Sequence, residues 1–348
     1  MISYKNVHNH FRINGQYFTK NDMLRLGSEF IKDGNHFERA FGLFVLDWFD
    51  KSDKIKLSTS GTTGEPKEIQ VRKQAMVASA LATGDFFGLQ PKDKALCCLP
   101  IDFIAGKMMI VRAFILGLDM SFVAPTAYPL ENIRTEYDFC AMTPMQVENS
   151  LEQLQYVKKL IIGGAKLPAT LEEKLKKQAI QAYETYASTE TLTHIAARKV
   201  GEENFKLLPN IAIAVDDRGC LVIDAPRISA DKIVTNDLVD IQSETEFNWV
   251  GRVDNVVNSG GIKLFPEKIE SHLNGKIPHR YFVGGVADTL LGEKLVLLIE
   301  AAKYELPSDI FEGVDNYEKP KNIIFVAQFA ETENGKIRRR EILDSLIS

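Results

Sequence analysis

The stretch Leu57-Ser58-Thr59-Ser60-Gly61-Thr62-Thr63-Gly64-Glu65-Pro66-Lys67 has the composition of a phosphate cradle. Its glycines let the backbone approach an anion and present N–H groups, its hydroxyls add donors, and Lys67 supplies a positive charge. It is not a Walker loop, because Lys67 follows Gly64 with a proline between them and no Ser or Thr follows the lysine. The loop comes directly after an apolar run and shortly before a helical pattern. Working outward, short apolar runs at 55–57, 95–99, 120–123, 139–142 and 160–162 alternate with amphipathic patterns at 72–83, 104–116 and 171–178. That alternation predicts parallel strands with crossover helices. Two helices, 21–32 and 37–49, are expected upstream to cover a sheet edge, the second with Phe37, Phe41, Phe44, Val45 and Trp48 on one stripe. Between 211 and 241 the pattern turns to β segments closed by Asp216-Asp217-Arg218-Gly219, and past Gly251 a compact α+β pattern follows. The expected class is α/β, with a large N-terminal domain (1–251) of mostly parallel sheet plus a small β module, and a small α+β C-terminal domain (252–348).

Composition narrows the function classes. A chain of 348 residues has room for two domains at roughly 150 residues each. With 45% hydrophobic and 26% charged residues it is ordinary globular material. Lys and Arg total 42 against 47 Asp and Glu, so no overall positive field exists to collect nucleic acid or anionic membrane, and nucleic acid is not an expected partner. Any polyanion must be held locally. The four cysteines lack C-x-x-C spacing and read as reduced core thiols. No stretch approaches the about 18 apolar residues of a membrane span, and the polar amino terminus has no secretory h-region, which makes the cytoplasm the expected location. His8, His10, His36, His272 and His279 have no metal-ligand partners at useful spacing, and the run Arg338-Arg339-Arg340 reads as a solvated helix face.

Four further strings follow the loop in order: Tyr186-Ala187-Ser188-Thr189-Glu190; Thr235-Asn236-Asp237; Gly251-Arg252-Val253-Asp254 running on to Glu267-Lys268-Ile269-Glu270; and Asn334-Gly335-Lys336-Ile337-Arg338. Together with the loop they resemble the motifs of the adenylate-forming superfamily of acyl-CoA synthetases, luciferases and peptide-synthetase adenylation domains. The resemblance covers residue 55 to the end. It implies ATP, Mg²⁺, a small-molecule carboxylic acid and coenzyme A as the participants. Ser60, Gly61, Thr62, Thr63, Gly64 and Lys67 would hold the β and γ phosphates. Glu190 would ligate Mg²⁺ with Thr189 beside it, and Asp237 would accept from the ribose diol with Arg252 reinforcing it. Tyr186 and Gly163-Gly164-Ala165 would line the adenine and acyl pocket, Asp254 would be the hinge, and Lys336 would be the catalytic cation of adenylate formation. These roles suit the residue types, since a triphosphate needs donors, a cation and a metal, and a carboxylate suits two neighbouring hydroxyls. Taken singly, Glu190 also fits a helix N-terminus, Asp237 a turn, and Gly163-Gly164 a tight strand-to-helix connection.

The chain also departs from the family. Only 57 residues precede Ser58, where typical members carry well over a hundred, so the resemblance implies a shortened first subdomain. Ala187 and Asn236 stand where glycines are usual, and Phe103 stands where many members have histidine. Among members, the shortened architecture with Gly106-Lys107-Met108-Met109 and a downstream Arg112 looks most like compact o-succinylbenzoate–CoA ligases of menaquinone synthesis. Such an acid carries a second carboxylate that needs a cation, for which Arg112 and then Lys107 are the candidates. They lie about 140° apart around one helix, so one of them at most faces a pocket. His194, the histidine nearest the site in sequence, is the third substrate-binding candidate. The alternatives are a ligase for another aryl or short-chain acid, an enzyme loading a carrier-protein thiol, and a non-catalytic nucleotide sensor.

Overall fold

The computed structural model describes residues 2–58, 68–188, 190–331 and 337–346. The phosphate-loop candidates Ser60, Gly61, Thr62, Thr63, Gly64 and Lys67 lie outside the described residues, as do Thr189 and Lys336.

The alternation of apolar runs and helices becomes a parallel block. Strands Asp119–Phe122, Lys94–Cys97, Tyr137–Met142, Val157–Ile162 and Gln181–Ala187 lie side by side in that order, all parallel. The inner strand Tyr137–Met142 is buried at all but one position, as expected where a parallel sheet is covered on both faces. Helix Ile104–Leu116 is apolar nearly all round and is correspondingly buried along most of its length. It stops at Gly117, which takes a left-handed φ of 74° that a residue with a Cβ resists. Helices Lys20–Asp33 and His36–Phe49 carry complete capping boxes, Thr19 with Asp22 and Asn35 with Glu38. The second buries Phe41, Phe44, Val45 and Trp48 in the main core.

Two features differ from the sequence reading. The run at 55–57 does not join the parallel block. Strand Lys54–Ser58 pairs antiparallel with Glu68–Arg72 in a separate ribbon, and residues 59–67 connect the two strands. Lys54 and Lys56 alternate with buried Ile55 and Leu57, the pattern of a strand with one wet face rather than of a strand covered on both. The β module is also not separate from the parallel block. Strand His194–Lys199 pairs antiparallel with Gln181–Ala187, and the sheet continues through Phe205–Leu207, Glu246–Arg252, Ile233–Ser243, Cys220–Asp224 and Ala212–Val215. Among the described residues the result is one mixed sheet of 13 strands. The α/β class stands, with parallel pairing confined to one half of the sheet.

After Arg252 a short 3-10 turn, Val253–Asn255, leads into a second sheet built from Val257–Ser259, Ile262–Leu264, Tyr281–Asp288, Gly292–Glu300 and Asn322–Val326. Helix Pro266–Leu273 packs on it through Ile269 and Leu273. It also touches the large sheet, where a Cβ at Gly251 would lie 2.7 Å from Glu267 Oε2. Arg339, expected on a solvated face, instead donates to Glu270 Oε2 at 2.9 Å and lies over the Phe282 ring. Glu267 and Glu270, one helical turn apart, draw it inward. All four cysteines are buried and unpaired. Among the described residues no helix is long and apolar enough to cross a membrane.

Candidate active site

Asp237 and Arg252 are directly opposite each other on neighbouring antiparallel strands. The Asp237 carboxylate is held from two sides. Tyr186 donates its hydroxyl to Oδ2 at 2.6 Å, Trp249 donates Nε1–H to Oδ1 at 3.3 Å, and Arg252 Nη1 stands 3.7 Å from Oδ1. Burial, and then the Asp237 charge, push the Tyr186 phenol well up from its ordinary value, so it stays a donor. Asn236, the residue standing where a glycine is usual, accepts from Arg218 Nη1 at 3.0 Å and donates to the Asp254 carboxylate at 3.2 Å. Asp254 also takes a hydrogen bond from Arg252 at 3.1 Å, so the strand carrying Asp237 is tied to the turn Val253–Asn255.

Glu190 lies on an exposed turn between Gln181–Ala187 and His194–Lys199, not at a helix N-terminus. Buried Thr191 shapes that turn: its Oγ1 accepts from the Ser188 N–H at 2.9 Å and donates to the Thr193 carbonyl at 2.8 Å. Gly163 and Gly164 follow the parallel strand Val157–Ile162. A Cβ on Gly163 would meet Thr185 Oγ1 at 2.6 Å, and Gly164 has φ +86°, so this connection takes its path only with glycines. Next along the chain, Lys166 Nζ lies 5.2 Å from the centre of the Trp249 ring, and Glu184 accepts from the Leu167 N–H at 2.9 Å. The loop beginning Gly163-Gly164-Ala165 is thereby brought over the Asp237 cluster. Gly163 and Tyr186 stand at the C-terminal ends of parallel strands, where open α/β sheets bind ligands, and Tyr186 reaches Asp237 on the antiparallel half of the sheet.

Of the two cations on helix Ile104–Leu116, only Arg112 points into the protein. Lys107 is half-buried and donates to its own helix-start carbonyl, Asp102, at 2.8 Å, with burial lowering its pKa. Arg112 is 2% exposed and burial draws its pKa down to about 10. Its partners are neutral: Thr83 Oγ1 from Nε at 3.3 Å, Met109 Sδ from Nη1 at 3.7 Å, and Thr193 Oγ1 and His194 Nδ1 from Nη2, each at 3.4 Å. His194 is buried too, and burial followed by the Arg112 charge holds its pKa well below the ordinary imidazole value. A small cavity of about 10 Å³, room for one water, touches His194 and is lined also by Ser79, Ala82, Leu208, Asn210 and Arg227. Among the described residues the buried Ser79 hydroxyl has no hydrogen-bond partner.

The sequence reading missed Trp249, Thr83, Thr193 and Thr191. Their contacts cross between strands or from helix to sheet, or sit inside a turn, and no spacing announces them.

A family model described as AMP-binding enzyme matches residues 57–227. A 2-succinylbenzoate–CoA ligase from Listeria monocytogenes is 26% identical over 337 residues, covering 86% of this chain and 71% of that protein. An o-succinylbenzoate coenzyme A synthetase (MenE) from Bacillus subtilis, solved in complex with ATP and magnesium ion, shares the fold with a TM-score of 0.72 at 18% identity, covering 83% of this chain and 69% of that one. The acyl-CoA synthetase (AMP-forming)/AMP-acid ligase II-like protein from Dyadobacter fermentans is 35% identical, with a TM-score of 0.64, over 93% of this chain and 98% of its own. A likeness of that extent shows that the chain belongs to the AMP-binding, acyl-CoA synthetase-like enzymes.

Proposed function

We propose that the protein is an AMP-forming acid–CoA ligase whose acid carries a second carboxylate, with 2-succinylbenzoate as the substrate. One carboxylate oxygen attacks the α-phosphorus of ATP and expels pyrophosphate. The CoA sulfur then attacks the acyl carbonyl and AMP leaves. Asp237 holds the ribose, with Tyr186, Trp249 and Arg252 fixing its orientation. The loop residues Ser60 to Lys67 and Lys336 are the groups assigned to the phosphates from the sequence, and Gly163, Gly164 and Ala165 are assigned to the pocket wall. Glu190 is exposed, and no group among the described residues takes up its carboxylate, which suits a Mg²⁺ that binds through one carboxylate, phosphate oxygens and water. That ion, when bound, neutralises phosphate charge.

The observation that carries the diacid reading is Arg112. A guanidinium taken out of water without a carboxylate pays a desolvation cost of several kcal/mol or about that, and none of the described carboxylates pairs with this one. An incoming anion supplies the missing charge, and the acid's non-reacting carboxylate is that anion. The names of the relatives support the same acid. Pyrophosphate exchange against a panel of mono- and dicarboxylic acids, with CoA or a carrier protein added afterwards, tests the reading. 2-Succinylbenzoate should give the highest acid-dependent turnover. Arg112→Ala should raise KM for diacids by about 10²-fold, the scale of one or two charge-assisted hydrogen bonds, with little change for a monoacid. A monoacid as the best substrate, unaffected together with 2-succinylbenzoate by Arg112→Ala, would sink it.

We place the moving boundary at 251–252, with residues 1–251 binding ATP and acid and 252–348 rotating between the two half-reactions. Asp254 is the pivot. Asp254→Pro fixes φ near about −65° and removes a backbone donor, so it should impair one half-reaction far more than the other. Asp254→Ala, which loses only the contacts to Asn236 and Arg252, separates the side chain from the backbone. Equal loss in both half-reactions for a folded Asp254→Pro variant would count against the pivot.

A further inference from the structure

The hydrogen-bond directions around Arg112 can be resolved atom by atom. Arg112 only donates, so His194 Nδ1, 3.4 Å from Nη2, must be a bare acceptor. Thr83 gives its hydroxyl proton to the Ser79 carbonyl at 2.9 Å, so the Thr83 oxygen accepts from Arg112 Nε and from His194 Nε2 at 3.3 Å. His194 is therefore neutral with its proton on Nε2. The network closes without conflict and fastens the guanidinium on two of its three nitrogens, Nε to Thr83 and Nη2 to Thr193 and His194. Among the described residues Nη1 meets only the Met109 thioether, a weak acceptor at 3.7 Å that a carboxylate would readily replace.

Backbone geometry serves the same end. His194 opens its strand at a register shift against Gln181–Ala187, where pairing moves from His194↔Ala187 to Ala196↔Tyr186. Such bulges re-aim side chains beside functional sites. Phe87 meets the imidazole at 69° with ring centres 6.2 Å apart, which restricts its rotation.

We propose that His194 is a positioning residue: as a neutral acceptor it holds the Arg112 Nη2 edge so that Nη1 is presented to the acid's non-reacting carboxylate. This rests on the diacid reading above and assigns His194 no contact with the substrate. His194 thus acts on recognition of the acid alone, and a lost acceptor lets the guanidinium turn.

The test uses three substitutions at His194, with Arg112→Ala as the reference, in the full chain, with steady-state adenylation of 2-succinylbenzoate and of a monocarboxylic acid. His194→Leu removes the acceptor and should raise KM for the diacid by about tenfold, one hydrogen bond to a charged group, while kcat, KM for ATP and the monoacid KM stay near wild type. His194→Asn puts an amide oxygen where Nδ1 stood and should recover most of the loss. His194→Gln, which carries its amide out to the Thr83 end, should not. A purely structural histidine would shift kcat and both acids together and would show no preference for Asn over Gln. Wild-type diacid KM in the Leu or Gln variant, or failure of Asn to recover it while Arg112→Ala still raises KM, overturns the positioning role and leaves the diacid reading standing. If Arg112→Ala itself changes nothing, the diacid reading has failed. Should the Leu variant not fold, the Asn and Gln pair still decides.

Discussion

Lys336→Ala is expected to slow adenylate formation by about 10²–10³-fold, roughly 3–4 kcal/mol, the scale of a lost oxyanion donor. The need comes from the charge distribution of the step. As the carboxylate attacks the α-phosphorus, negative charge spreads over the phosphoryl oxygens and the departing pyrophosphate, and an ammonium removed from bulk water stabilises it far better than one in water. The segment containing Lys336 lies outside the described residues, and the residues on either side of it are paired. Glu331 and Ile337 form a β-bridge, the Arg338 N–H donates to the Ala330 carbonyl at 2.8 Å, and helix Arg339–Ser345 is tied to Glu270 through Arg339. Transfer of the acyl group to CoA from supplied acyl-adenylate should be nearly unchanged, because the small domain would have turned Lys336 away for that step. An ordinary surface lysine predicts no loss in either half-reaction. Single-turnover measurement of both steps decides, and normal adenylation in the variant rules the catalytic role out.

What was legible in the sequence, and what was not, follows from the range of the interactions. The motif strings were readable because each needs a particular residue type at a particular place along the chain. The choice between Lys107 and Arg112 was half readable: spacing said that one at most could face inward, and packing made it Arg112. The partners of Arg112 were not readable. Thr83 and His194 are 111 positions apart and meet only because a helix and a bulged strand pack together. Trp249 was overlooked for the same reason, since its bond to Asp237 crosses between strands. The run at 55–57 lies outside the sheet that its apolar content suggests, although the signal is present in its period: lysines alternating with buried Ile55 and Leu57 mark a one-sided strand. The continuity of the β module with the parallel block depends on pairing of Gln181–Ala187 with His194–Lys199, and no local pattern specifies a neighbour.

Asp237→Ala should lower kcat/KM for ATP by about 10²-fold or more while leaving the acid's KM nearly unchanged. A carboxylate has about four acceptor sites. Here Tyr186 takes one on Oδ2 and Trp249 one on Oδ1, leaving one on each oxygen for the two neighbouring hydroxyls of a ribose. Each hydrogen bond to a charged group contributes about 1.5–3 kcal/mol, so losing two at the lower end of that range gives the expected factor. The substitution also leaves the Tyr186 hydroxyl and the Trp249 N–H without their acceptor, which costs stability and would by itself lower activity. Unfolding curves measure that structural part. The ribose contact is isolated by changing the ligand as well as the protein. With 2′-deoxy-ATP the wild-type enzyme should lose about tenfold, one charged hydrogen bond, whereas the Asp237→Ala variant, having no acceptor to lose, should treat ATP and 2′-deoxy-ATP alike. Tyr186→Phe keeps the carboxylate and its charge but frees Oδ2, so it should retain discrimination between the two nucleotides with a smaller loss for both. If instead the Asp237→Ala variant still prefers ATP over 2′-deoxy-ATP by the wild-type factor, Asp237 orders only Tyr186 and Trp249, and the ribose is held elsewhere.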